Sequence, residues 1–109
     1  MQLNELKTFV LHELEEMKAT DVTVLDVRKL TSMTDLMFVC TGNSARHAKS
    51  IGRHLYDKAK SVGLKPLGIE GESDAEWVLI DLGDALIHIM QAKSREFYQL
   101  EKLWGEREA

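Results

Sequence analysis

Apolar positions in the first part of the chain fall at helical spacing. Leu3, Leu6, Val10, Leu14 and Met17 form a stripe over residues 3–18, widened by Phe9 and Leu11, and His12, Glu13, Glu15 and Glu16 lie largely off it. The spacing predicts an amphipathic helix resting on a core. From Asp21 to Val27 the period changes to two. Val22, Val24 and Asp26 share one parity, and Thr23, Leu25 and Val27 share the other, which predicts a strand. The stretch from Leu30 to Ser32 is irregular. Leu36-Met37-Phe38-Val39-Cys40 is continuously apolar, as in a central strand covered on both faces. Thr41-Gly42-Asn43-Ser44 then breaks the strand, and Asn43 or Ser44 can cap the next helix. That helix, residues 45–62, carries Ala48, Ile51, Leu55, Ala59 and Val62 on one face, with Gly63 placed to stop it.

Beyond Pro66 a third strand is expected over Leu67-Gly68-Ile69-Glu70, closed by the turn Gly71-Glu72-Ser73-Asp74. Two further strands follow, Glu76 to Leu82 and Ala85 to Met90, with Gly83-Asp84 suited to a two-residue II′ or I′ hairpin turn. If Leu82 faces Ala85, the register is set. Val78, Ile80, Leu82, Ala85, Ile87 and Ile89 then share an apolar face that must be core. Trp77, Leu79, Asp81, Leu86, His88 and Met90 share the other, which is mixed. Residues 94–104, with Phe97, Tyr98, Leu100, Leu103 and Trp104, form a short helix or pair of turns ended by Gly105. The order α-β-β-α-β-β-β-α predicts an α/β fold: a single domain over 1–109, with a mixed five-stranded sheet and helices mainly on one face.

Composition narrows the function classes. At 109 residues, 44% hydrophobic and 29% charged, the chain is a globular domain able to bury a core without disulfides or metal. Its apolar runs are too short to span a membrane, and its first residues lack the cationic start and apolar stretch of a signal peptide. The single cysteine, Cys40, has no partner for an internal disulfide, so the cytosol is the expected compartment. Fourteen Lys and Arg stand against 18 Asp and Glu, a net charge of −4. That balance disfavours direct nucleic-acid binding and favours a basic protein as partner.

Three constellations bear on chemistry. The 41–44 loop joins a strand to a helix N-terminus, where phosphate can bind, but it matches neither a Walker A nor a Rossmann fingerprint, and a plain helix cap accounts for it. Metal-assisted nucleotidyl transfer needs paired carboxylates nearby, yet Asp26, Asp35 and Asp81 are isolated. His47 and His54 lie two turns apart on one helix, too far to chelate one metal without a third element, and Cys40 sits in an apolar strand as a buried thiol. Neither a cofactor nor a metal site is expected. The Trp77 face is different. It pairs Trp77 with Met90, carries Asp81 and His88, and follows the acidic series Glu70, Glu72, Asp74 and Glu76. An aromatic anchor with a polar, acidic rim has the composition of a protein-binding hot spot. A helix of the chain itself covering Trp77 fits the pattern equally well.

Several runs together resemble the ribosomal silencing factor family, RsfS or Iojap. They are Val24-Leu25-Asp26-Val27, Thr34-Asp35 leading to Cys40-Thr41-Gly42-Asn43-Ser44, and His47. Gly68-Ile69-Glu70-Gly71, Trp77-Val78-Leu79-Ile80-Asp81, His88 and the run from Arg95 to Trp104 complete the set. Each run alone is unspecific; their order and spacing over residues 3–104 carry the resemblance. One departure is Leu36, where the family commonly has an aromatic residue.

The resemblance implies a fold distantly similar to nucleotidyltransferases without their catalytic carboxylates, and no enzyme activity. It implies binding to the large ribosomal subunit through its protein number fourteen, of the uL series. The bound factor would block joining of the small subunit and repress translation in starvation or stationary phase. On this view Trp77 is the anchor and Met90 its adaptable neighbour. Glu70 and Asp81 meet cationic or amide groups, His88 adds to the mixed surface, Leu82 reaches out from the hairpin tip, and Arg95 and Tyr98 close the rim. Two other classes compete with this view: a small phosphate- or nucleotide-binding enzyme using the 41–44 loop, and an oligomerisation module pairing the Trp77 face by two-fold symmetry. A homodimer of the free protein is compatible with ribosome binding, because an exposed sticky face self-associates.

Overall fold

The structure, a computed structural model, describes residues 1–105 except for the side chains of Glu101 and Trp104. The expectation for Trp104 in the last helix therefore lies outside the described side chains. The chain runs α1 (Leu3–Glu16), β1 (Thr20–Asp26), β2 (Leu36–Thr41), α2 (Ala45–Ser61), β3 (Gly68–Glu70), β4 (Trp77–Asp81), β5 (Ala85–Met90), α3 (Ala92–Tyr98) and α4 (Leu100–Gly105).

The five strands form one sheet in the order β1-β2-β5-β4-β3. Only β2 and β5 are parallel neighbours; the other pairs are antiparallel. The crossover α2 explains this, because a parallel pair needs a long connection and a hairpin does not. Trp77 opposes Met90 and Leu79 opposes His88, the register set by the Gly83-Asp84 turn. Gly83 has φ 84°, and the Leu82 N–H donates to the Ala85 carbonyl at 2.9 Å. A positive φ at the first turn residue is the II′ pattern.

Both long helices pack on one face of the sheet. Leu6, Val10 and Leu14 of α1 and Ala48, Ile51, Leu55 and Ala59 of α2 cover Phe38, Cys40, Val78, Ile80, Ile87 and Ile89. Local signals place the helix ends. A capping box joins Gln2 and Glu5 at the start of α1, and the Ser44 hydroxyl accepts the His47 N–H at 3.0 Å at the start of α2. The N–H groups of Gly63 and Leu64 donate to the carbonyls of Lys60 and Ala59, closing α2 as a Schellman motif. Glu13, read as an outward-facing acid, is instead buried, and its carboxylate meets His54 Nε2 at 2.8 Å across the α1–α2 seam. Burying a carboxylate is tolerated when a partner satisfies it. His47 ties the same two helices, since Nδ1 accepts the Asn43 N–H and Nε2 lies 2.7 Å from the Met17 carbonyl.

The last helix differs from its expectation in two ways. Gln99 adopts the left-handed conformation, φ 48° and ψ 51°, so the run splits into α3 and α4. The segment also crosses to the second face of the sheet, where Leu100, like Trp77, packs against the cluster of Val27, Met37, Val39 and Met90. Helices therefore touch both faces. Among the described residues no helix is long and apolar enough to cross a membrane.

Candidate docking site

The second face of the sheet is built in rows across the strands. One row runs Thr23, Val39, His88, Leu79, Glu70; the next runs Leu25, Met37, Leu86, Asp81. Thr41, Met90 and Trp77 form a third. The centre of this surface is sealed and its β4 side is open. Val39 and Met90 are fully buried, while Trp77, Leu79, Asp81 and Leu86 are half-buried and Glu70 is exposed.

Trp77 is the pivot. Its indole N–H donates to Nδ1 of His88 at 2.9 Å, and the Tyr98 ring lies against it with centroids 4.7 Å apart. Phe97 meets Tyr98 edge-on at 5.0 Å. Four aromatic rings thus run from the buried His88 through Trp77 and Tyr98 to Phe97, which is 80% exposed. Tilted and edge-on contacts are the favoured ring geometries. The two arrangements open to the sequence are both partly realised, since the Tyr98 ring lies against the indole while Trp77 stays half-buried.

Arg95 fixes the segment that supplies Tyr98. The β1 strand carries a bulge between Thr20 and Thr23, with Asp21 at φ 50°. The bulge frees the Asp21 carbonyl, and the Arg95 guanidinium donates to it and to the hydroxyls of Thr41 and Thr23, at 3.0 and 3.1 Å. Arg95 is therefore an anchor of α3 on the sheet edge.

Two of the expected contact residues need correction. Met90 is fully buried, because Trp77 and Leu100 close over it. His88 is only 7% exposed, held between Val39 and Leu79 on neighbouring strands. Burial pushes its imidazole down to about 4, so it is neutral at physiological pH. Asp81 lies on the face as expected, but its carboxylate also accepts the Gly83 N–H at 2.9 Å. Leu82 sits at the hairpin tip, half-buried against the helix-covered core. Leu79, Leu86 and Phe97 belong to the same surface. The strand alternation already put the two leucines beside Trp77, whereas nothing in the spacing of Phe97 separates it from a core residue.

The 41–44 loop is organised as a helix cap. The Gly42 N–H donates to the Met90 carbonyl, the Asn43 N–H to His47 Nδ1 and the His47 N–H to the Ser44 hydroxyl. The Gly42, Asn43 and His47 amides are thereby engaged within the protein. Asp26 is held by Arg28, whose hydrogen bonds lower its carboxyl to about 2, and Asp81 serves its own turn. Among the described residues no cluster of three His, Cys, Asp or Glu side chains is arranged to hold a metal. Burial pushes the Cys40 thiol up to about 12, which leaves it unreactive.

Comparison with known proteins gives a consistent result. The family described as "Ribosomal silencing factor during starvation" matches residues 1–109. The chain is 43% identical to ribosomal silencing factor RsfS of Haemophilus influenzae over 92% of its length and 98% of the relative's. A crystal structure of a Chromobacterium violaceum protein superposes with a TM-score of 0.94 at 38% identity, covering 96% of this chain and 88% of that one. A more distant relative, "Mitochondrial assembly of ribosomal large subunit protein 1" of Mus musculus, is 32% identical over 86% of this chain and 42% of its own length. The chain belongs to the ribosomal silencing factor family.

Proposed function

We propose that the chain docks on the large ribosomal subunit, through its protein number fourteen, and blocks joining of the small subunit by occupying volume. The observation that carries this reading is the open half of the Trp77 face. An indole, two leucines and the exposed rings of Tyr98 and Phe97 form one apolar surface, edged by Asp81 and Glu70. Exposed aromatic clusters with a charged rim are what interface hot spots present to a partner. A net charge of −4 suits a basic partner, and ribosomal proteins are commonly basic. The mouse relative's name associates it with the large subunit of a ribosome, which supports the same subunit here.

Arg95 and Tyr98 act together in this reading, the first holding α3 so that the second stays against Trp77. Leu82 and Glu70 reach the partner from the hairpin tip and the sheet edge. No bond is made or broken, so the chain works as a cytoplasmic repressor and not as an enzyme. The experiment is titration of the purified chain against purified protein number fourteen. Trp77→Ala weakens binding about 30-fold or more, the equivalent of roughly 2 kcal/mol for a central hot-spot aromatic. Trp77→Phe, which keeps more of the packing, falls between. Equal binding by the folded Trp77→Ala protein overturns the reading.

A further inference from the structure

His88 is a buried polar group that a sheet face of this kind does not need. Its neighbours across the strands are Val39 and Leu79, and its neighbours along β5 on the same face are Leu86 and Met90. An apolar ring would fill the same space. The imidazole instead accepts the indole N–H of Trp77 through Nδ1, and this requires the neutral form with its proton on Nε2. Nε2 is buried and has no hydrogen-bond partner among the described residues. A buried donor left unpaired is a standing cost, and one retained in a fold calls for a compensating role. The polar act this ring performs is on the indole.

The two aromatic neighbours of Trp77 thus hold it differently. Tyr98 rests against it from an exposed helix, with 51% of its own surface in solvent. His88 grips its N–H from within the sheet, where the strand pairing leaves the imidazole little freedom. A half-buried tryptophan without that bond would sample other rotamers and would have to be ordered when a partner arrives.

We propose that His88 is a positioning residue: from inside the sheet it holds the Trp77 indole in one orientation for docking, and it does not itself touch the partner. The proposal rests on the docking reading and reassigns His88 within it. Preorganisation of this kind appears as affinity without new contacts.

The test uses the full chain with purified large-subunit protein number fourteen, and the variants His88→Phe, His88→Asn and Trp77→Ala. His88→Phe fills the ring's space, removes the acceptor and removes the unpaired Nε2–H. It is expected to melt at or above the temperature of the natural chain, yet to bind roughly three- to tenfold more weakly, the cost of immobilising one side chain at the interface. His88→Asn keeps an acceptor at the δ position. It is expected to bind more tightly than His88→Phe although it packs less well and melts lower. In proton NMR the Trp77 indole N–H resonance moves upfield in His88→Phe and stays closer to its natural position in His88→Asn. An opposite ranking of stability and affinity is the signature that a purely structural histidine would not give. If Trp77→Ala weakens binding and His88→Phe does not, or if binding simply follows melting temperature, the positioning role is refuted and docking stands. If Trp77→Ala also binds normally, the docking reading falls and takes this proposal with it.

Discussion

Acid should unfold this protein in a way that His88 controls. The group sits in the sheet with its imidazole lowered from 6.5 to about 4, chiefly by burial, and its Nδ1 is committed to the Trp77 N–H. In the unfolded chain the same ring takes up a proton near its ordinary value. Between these two values the unfolded state binds more protons than the folded state, so stability rises with pH across that window. The contribution is complete above about pH 6.5 and drains away as pH falls toward 4. At pH 4.5 the loss from this one group amounts to about 2.5 kcal/mol, a large share of the stability of a domain of this size. The assay is urea unfolding of the natural chain and of His88→Phe at pH 7 and pH 4.5. Carboxylates contribute equally to both proteins, so the difference between the two pH dependences isolates His88. The variant should lose about 2.5 kcal/mol less than the natural chain on acidification. Parallel losses in the two proteins would show that His88 is not held neutral by its surroundings, and the burial argument would fail with it.

Other substitutions probe neighbouring parts of the account. Gly71→Ala places a Cβ 2.0 Å from the Trp77 carbonyl oxygen at a residue with φ 86°, and should cost more than about 2 kcal/mol by calorimetry. Arg95→Ala should release α3 from the β1 bulge, raising amide hydrogen exchange over residues 92–98 while the central strands stay protected. Ser44→Ala should lower stability by about 1 kcal/mol through loss of the α2 cap. Calorimetric titration of the natural chain with a nucleoside triphosphate and Mg²⁺ should give no binding heat, because the Gly42 and Asn43 amides and the Ser44 hydroxyl are engaged within the cap.

Much of the fold was legible because its signals are local. Alternation marked β4 and β5, the Gly83-Asp84 turn set their register, and the unbroken apolar run of β2 announced a strand between two covered faces. The two parities of β1 were also informative: Val22 and Val24 join the helix-covered core, and Leu25 and Val27 join the other face. What escaped the sequence depends on contacts between distant residues. Met90 and His88 were expected at the surface, since alternation tells which face a residue occupies and not whether a later segment covers it. Leu100 packs on the cluster that holds Met90 from ten positions downstream, after a left-handed break at Gln99 that no glycine advertises. Glu13 looked like an ordinary solvated acid because its partner His54 lies 41 residues away. Arg95 was expected to close the rim of the docking face, and its role as an anchor of α3 depends on a bulge at Asp21 that no spacing reveals.

The measurement closest to the heart of the account is a sucrose-gradient profile of purified large and small subunits mixed with a stoichiometric amount of this chain. Joined ribosomes should fall sharply in favour of free subunits, with the chain migrating alongside the large one, and Trp77→Ala should leave joining at the level seen without any added protein. Undiminished joining in the presence of the bound natural chain would contradict the steric block outright.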